Sequence, residues 1–247
     1  MLLNSREPRI AFNRIAGKGP EVLFCGGFRS NMAGTKALAL EVHCAAAGRA
    51  FTRFDYRGHG ESDGAFTDGT IGGWLEDTLA VLDEVTREPA VLVGSSMGAW
   101  IALLAARLRP DRVKGMVLVA PAVDFTEILI WERLPAADRA ILERDGVWLR
   151  QSDYVEEPDQ ITMKLIEEGR SHLLLGRAIQ FDGPVRILHG MQDETVPWRF
   201  AIRVAEALTG RDVIVTLVKN GDHRLSDEEN LSRLLAIIDE VAATVAL

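Results

Sequence analysis

The pentapeptide Gly94-Ser95-Ser96-Met97-Gly98 has the form Gly-x-Ser-x-Gly and stands between the apolar run Ala90-Val91-Leu92-Val93 and a segment of helical period from Ala99 to Leu108. Glycines two residues either side of the serine remove Cβ atoms that would collide where a strand folds back into a helix, and the serine itself is held in a strained turn that exposes its hydroxyl. A serine hydroxyl is a poor nucleophile at neutral pH. It needs a base within hydrogen-bond reach, and the base needs a carboxylate to fix its tautomer. Of the five histidines, His223 in Asn220-Gly221-Asp222-His223 follows the apolar run Val213 to Val218 and is placed to reach across a sheet edge. His189 reads as a packed histidine, His59 as the brace of a loop, and His43 and His172 as ordinary residues of a helix and of a charged region. The acid is assigned to Asp193, within His189-Gly190-Met191-Gln192-Asp193-Glu194-Thr195-Val196-Pro197, because that loop follows the strand preceding the one that delivers His223. Glu194 is its nearest rival and Asp222, adjacent to the histidine, the next. An oxyanion hole is expected from the amides of Met97, directly after the serine, and of Phe28, in the loop that Gly26-Gly27 opens. Each such donor contributes about 3 kcal/mol to transition-state stabilisation.

These residues need a scaffold that brings loops from distant strands to one edge. From Arg9 onward, short apolar runs alternate with longer segments of helical period, the pattern of a mostly parallel central sheet flanked by helices. Ile10 to Ile15, Gly17-Lys18-Gly19-Pro20 and Val22-Leu23-Phe24 read as one or two edge strands and then a buried strand ending at Gly26-Gly27, followed by a helix starting near Ser30 or Asn31 and stopping at Gly48. Strands follow at Ala50 to Phe54, Ala90 to Val93, Val113 to Val119, Val185 to Leu188 and Val213 to Val218. The helices between them carry Ile71, Trp74, Leu75, Leu79 and Leu82, then Ala99 to Leu108, then Trp198 to Leu208. The last helix runs from Ser226 to Val245, with Ser226 and Glu229 spaced as a capping box. The rhythm breaks between about residues 122 and 183, where Trp131, Leu134, Trp148, Tyr154 and Leu165 are interspersed with charges. That stretch is expected to be a helical lid inserted into a single domain spanning residues 1–247. Trp131, Leu134, Trp148 and Leu165 are expected to line an acyl pocket beneath it, each buried methylene contributing about 0.8 kcal/mol.

Composition limits the partners. The chain has 247 residues, 28 Lys plus Arg against 36 Asp plus Glu, a formal charge of -8 and 47% hydrophobic residues, enough for a substantial core. Its Lys and Arg form no run of five or more, so no face is available for counterion-releasing contact with nucleic acid. Cys25 and Cys44 are too few for a disulfide framework and stand in apolar contexts suited to buried thiols. No apolar stretch approaches the roughly 18 residues that span a bilayer.

The order Ser96, Asp193, His223 is that of the α/β-hydrolase fold, and the chain is similar to α/β-hydrolases over nearly its whole length. It further resembles the α/β-hydrolase-domain palmitoyl-protein thioesterases that also act as mycophenolic acid acyl-glucuronide esterases. The resemblance rests on Gly27-Phe28 with Gly34-Thr35-Lys36-Ala37-Leu38-Ala39, on Arg53-Phe54-Asp55-Tyr56 with Gly58 and Ser62-Asp63-Gly64, and on Val93-Gly94-Ser95-Ser96. It extends to Gly146-Val147-Trp148, Leu188-His189-Gly190-Met191, Val196-Pro197-Trp198 and Asp222-His223-Arg224. Two departures concern the pocket: Cys25-Gly26 stands where many hydrolases carry His-Gly, and Ala99 follows Gly98 where a second glycine is common. The resemblance implies hydrolysis of a small-molecule acyl ester or thioester, or of an S-acylated protein, with Ser96, Asp193 and His223 at the triad positions. No metal or organic cofactor is required. A general carboxylesterase, or a ligand-binding protein on the same scaffold, remains the alternative. Members in animals act in mitochondria, whereas residues 1–8 carry no Arg- and Ser-rich leader, so a cytoplasmic location is expected.

Overall fold

A computed structural model describes residues 1–3, 5, 7–151 and 158–246. Tyr154 lies outside the described residues. The strands are β1 (Leu2–Leu3), β2 (Ile10–Ile15), β3 (Lys18–Cys25), β4 (Arg49–Phe54), β5 (Ala90–Ser95), β6 (Val113–Val119), β7 (Val147–Arg150), β8 (Asp159–Thr162), β9 (Val185–Gly190) and β10 (Val213–Val218). The helices are α1 (Thr35–Ala46), α2 (Ile71–Ala80), α3 (Met97–Leu108), α4 (Ala136–Asp145), α5 (Met163–Gly169), α6 (Arg199–Ala207) and α7 (Glu228–Val245).

Eight strands form one sheet in the order β1-β2-β4-β3-β5-β6-β9-β10. Strands β4 through β10 in that order pair in parallel, and β1 and β2 close one side antiparallel. This is the mostly parallel, helix-flanked sheet read from the sequence. β5 lies at its centre with every residue buried, as expected for a strand covered on both faces. Alternation along it feeds two cores: Leu92 packs with α2 and α3 on one face, while Val91 and Val93 pack with Leu40 of α1 and Leu234 and Ile238 of α7 on the other. Because parallel strands all end at the same edge, the loops after β3, β5, β9 and β10 meet there.

Three local expectations need correction. α1 starts at Thr35 rather than at Ser30 or Asn31, because those two polar side chains are used in the preceding loop: Ser30 Oγ donates to Gly27 O at 3.0 Å and Asn31 Oδ1 accepts from Ala33 N at 3.0 Å. The cap of α7 is Asp227, whose Oδ1 accepts from Asn230 N at 2.9 Å, and Ser226 Oγ instead donates to Arg224 O. The insertion is not purely helical. After short helical turns over residues 126–133 and α4, β7 and β8 pair antiparallel, Val147 opposite Thr162, before α5 returns the chain to the sheet. Two carboxylates fasten it: buried Asp124 accepts from the amides of Leu174 and Leu175, and Glu168 accepts from Gly72 N in the first turn of α2.

Candidate active site

β5 ends at Ser95 and α3 begins at Met97, so the chain reverses at Ser96, whose backbone sits at φ 55° and ψ −116°. That region is costly for a residue with a Cβ, on the order of 1–3 kcal/mol, and persists only where the surroundings impose it. The Ser96 amide donates to Val119 O at 2.8 Å, and its carbonyl accepts from Ala99 N at 3.0 Å and Ala122 N at 3.2 Å. The two flanking glycines are required by close approach. A Cβ on Gly98 would stand 2.1 Å from Cys25 O, and one on Gly94 would stand 2.5 Å from Ala99 Cα.

The loop after β10 brings His223 to this turn, with Nε2 3.1 Å from Ser96 Oγ. Its Nδ1 is 2.7 Å from Asp193 Oδ2, in the loop after β9. The Asp193 side chain is fully buried and that of His223 is 13% exposed, so the acid is dry while the base opens towards the cavity. Asp193 Oδ1 accepts from the amides of Thr195 at 2.9 Å and Val196 at 2.7 Å. Burial by itself would push the Asp193 carboxyl up; hydrogen bonds from His189, His223 and the Val196 amide outweigh it and hold the group at about 2. The rival acids are engaged differently: Glu194 is exposed on the cavity lining, and Asp222 Oδ1 accepts from Leu225 N at 2.8 Å within its own turn.

Met97, as the first residue of α3, is among those whose N–H has no partner within the helix, at the end where the dipole is positive. Phe28 follows β3, and its N–H has no hydrogen bond within the protein among the described residues. Its ring is wedged edge-on against Phe66, Trp74 and Phe125. The next residue, Arg29, has φ 57° and donates its amide to His59 Nε2 at 3.2 Å, while His59 Nδ1 donates to Arg57 O at 3.2 Å. Burial, the largest influence on His59, pushes its pKa down and keeps the acceptor lone pair that Arg29 needs. His59 thus braces the loop that carries Phe28. His43 pairs with Asp239 and His172 with Glu168, both away from Ser96.

Ser96, Met97, Phe28 and His223 line a cavity of about 660 Å³, with Phe24, Ala122, Phe125, Leu129 and Val196 on its apolar side. Lys36, Arg133, Arg150 and Arg224 line it too. A polar cavity of about 390 Å³ adjoins it through Arg29, Ser30 and Asn31. The expected acyl-pocket residues are not among the lining. Leu134 and Leu165 are buried in the core, at 7% and 2% exposure, and Trp131 and Trp148 pack on its flank. The guanidiniums of Arg139 and Arg170 lie 4.6 and 5.0 Å from the Trp131 ring centre, which makes that residue a structural hub of the insertion. Large apolar side chains in short elements found the core first; Phe125 and Leu129, nearer the start of the insertion, face the cavity instead.

Two further residues at the site were given no chemical role by the sequence. His189 Nε2 lies 3.0 Å from Asp193 Oδ2, a contact foreshadowed only by the four-residue spacing between them. Lys36 Nζ donates to Arg224 O at 2.5 Å and to Ser226 Oγ at 3.3 Å, joining α1 to the His223 loop across 188 residues of chain. Burial pulls the Lys36 amine down to about 8, against the opposing charge of Asp222.

The family described as serine aminopeptidase, S33 matches residues 20–230. The mitochondrial palmitoyl-protein thioesterase ABHD10 of Bos taurus is 41% identical over 235 residues, 95% of this chain and 76% of that protein. Its Homo sapiens counterpart is 39% identical over the same span of 235 residues. Among solved structures, alpha/beta hydrolase domain-containing protein 10 from mouse has a TM-score of 0.90 at 39% identity, covering 97% of this chain and 96% of that one. A putative hydrolase from Agrobacterium vitis S4 has a TM-score of 0.94 at 42% identity, covering 98% and 97%. The expected cytoplasmic location is overturned by the curated relatives, which are named mitochondrial. That expectation rested on the composition of residues 1–8, which does not specify a compartment.

Proposed function

The chain belongs to the α/β-hydrolase family described as serine aminopeptidase, S33, and to the group of the ABHD10 palmitoyl-protein thioesterases, and from this premise we propose that it cleaves acyl thioesters or esters through a serine acyl-enzyme. It is a carboxylic ester or thioester hydrolase by that membership. The observation that carries the mechanism is the unbroken chain of hydrogen bonds from Ser96 Oγ through His223 to Asp193, at 3.1 and 2.7 Å.

In this mechanism Ser96 Oγ attacks the acyl carbonyl carbon while His223 Nε2 takes the hydroxyl proton. Asp193, held ionised, accepts from Nδ1 and stabilises the imidazolium that forms. The Phe28 and Met97 amides receive the negative charge that develops on the carbonyl oxygen. The bond from carbon to sulfur or oxygen then breaks, and the leaving group departs with the proton from His223. Water attacks the acyl-serine, gives a proton to His223, and the serine recovers it as the acid leaves. A thiolate departs readily, so on thioesters the turnover of the acyl-enzyme and recognition matter more than leaving-group protonation.

For this chain we infer an apolar acyl group lying along Phe125 and Leu129, with a polar leaving group, small thiol or protein, towards the cationic residues of the rim. The relatives named palmitoyl-protein thioesterases favour S-acyl substrates. The cavity volume of about 660 Å³ falls within the range for small-molecule sites, about 300–1,000 Å³. A fluorophosphonate probe should label the protein stoichiometrically, and Ser96→Ala should abolish both labelling and turnover. Unlabelled, well-folded wild type would leave only a ligand-binding role. Matched oxygen and sulfur esters of one acyl group then separate a thioesterase from a carboxylesterase by their kcat/KM ratio.

A further inference from the structure

The Asp193 carboxylate has four acceptor positions, and all are filled. Oδ1 takes the amides of Thr195 and Val196, and Oδ2 lies 2.7 Å from His223 Nδ1 and 3.0 Å from His189 Nε2. The oxygen facing the base is therefore shared between two imidazoles. Both groups within reach of His189 Nε2, Asp193 Oδ2 and Val196 O at 2.9 Å, are acceptors, so Nε2 carries a hydrogen. Nδ1 is buried without a partner among the described residues. A hydrogen there would go unsatisfied, so the surroundings suit the tautomer with its hydrogen on Nε2. From that nitrogen one N–H is divided between the carboxylate and the carbonyl that closes the same loop.

His189 is well seated for this task. It is fully buried on β9, which pairs with β6 on one side and β10 on the other. Asp193, by contrast, is on a loop. Its two Oδ1 bonds come from residues of that same loop, so they move with it. Among the bonds to this carboxylate, the one from His189 ties it to a strand that is paired on both sides within the sheet.

We propose that His189 is a positioning residue of the hydrolytic site, whose Nε2–H holds Asp193 Oδ2 where it can receive the Nδ1–H of His223. This rests on the acyl-transfer reading of Ser96, His223 and Asp193. Without the donor, Oδ2 is free to turn from His223, and both acylation and deacylation slow because both use that base. The cavity lining does not include His189, so substrate binding is left as it was.

The test compares wild type, Ser96→Ala, His189→Leu, His189→Gln and His189→Asn on p-nitrophenyl acetate, with kcat, KM and melting temperature measured for each. Leu fills the space without a donor; Gln carries an amide nitrogen at about the reach of Nε2, and Asn falls short. His189→Leu should lower kcat about 10- to 100-fold, the range seen when groups orienting metal-bound histidines are removed, with KM changed by less than about 2-fold. His189→Gln should recover kcat to within about 5-fold of wild type while His189→Asn stays with Leu. An unchanged kcat in His189→Leu overturns the proposal, as does a Gln variant no faster than Asn. If His189→Leu does not fold, the contrast between Gln and Asn decides alone. Activity surviving in Ser96→Ala would instead overturn the acyl-transfer reading, and the role of His189 with it. An inactive Ser96→Ala beside a fully active His189→Leu defeats only the positioning role.

Discussion

Asp193 joins the chemistry of the site to the stability of the fold. Its carboxyl stands at about 2 in the folded protein against an ordinary value of 3.8, because hydrogen bonds from His189, His223 and Val196 overcome the effect of burial. A folded-state value below the unfolded one means that ionised Asp193 favours folding, fully above about pH 4–5 and progressively less as pH falls towards about 2. With the side chain fully buried, the shift corresponds to roughly 2 kcal/mol. Urea unfolding at pH 6 and pH 2.5 should therefore show wild type losing roughly 1.5 kcal/mol more than Asp193→Asn. Equal losses would mean that the pH dependence originates elsewhere. At pH 7 the same variant should lower kcat by about 10⁴, as the loss of the orienting carboxylate does in other serine triads. Ser96 and its glycines were legible because the strained turn imposes a fixed short spacing. His189 and Lys36 were not, because their partners come from packing between segments far apart or differently folded.

At the scale of elements, the apolar runs marked the central strands of the main sheet, though not β1, because a strand buried on both faces has no room for polar residues, as β5 demonstrates. Starts of helices were less legible. Ser30, Asn31 and Ser226 all have the chemistry of caps, yet each is engaged in a loop, and the residue that caps α7 is Asp227. Asp227→Ala should cost about 1 kcal/mol in a denaturant titration, whereas Ser226→Ala, which removes no cap, should cost less than half of that. A larger effect at Ser226 would restore the capping box. The insertion misled for a related reason: β7 and β8 are four residues each, too short for a period to distinguish them from helical turns.

Across the whole molecule, the parallel sheet sends its loops to one edge, and the insertion, fastened by Asp124 and Glu168, walls the cavity that opens there. Leu129 is the partly buried apolar residue of that wall. Leu129→Ala should lower kcat/KM for octanoyl thioesters about 5-fold, the value of roughly one kcal/mol of lost apolar contact, and leave acetyl thioesters nearly unchanged. Equal effects on both chain lengths would place the acyl group elsewhere. The amino-acid sequence by itself determined the alternation of strands and helices, the serine turn, and the order of Ser96, Asp193 and His223, because each follows from local sterics or from the connectivity of a parallel sheet. Which side chains face the cavity, which histidine supports Asp193 and which loop His59 braces were decided only in the tertiary structure. Those outcomes depend on competition for core volume and for hydrogen-bond partners among side chains that the folded backbone brings together, and spacing along the sequence does not decide them.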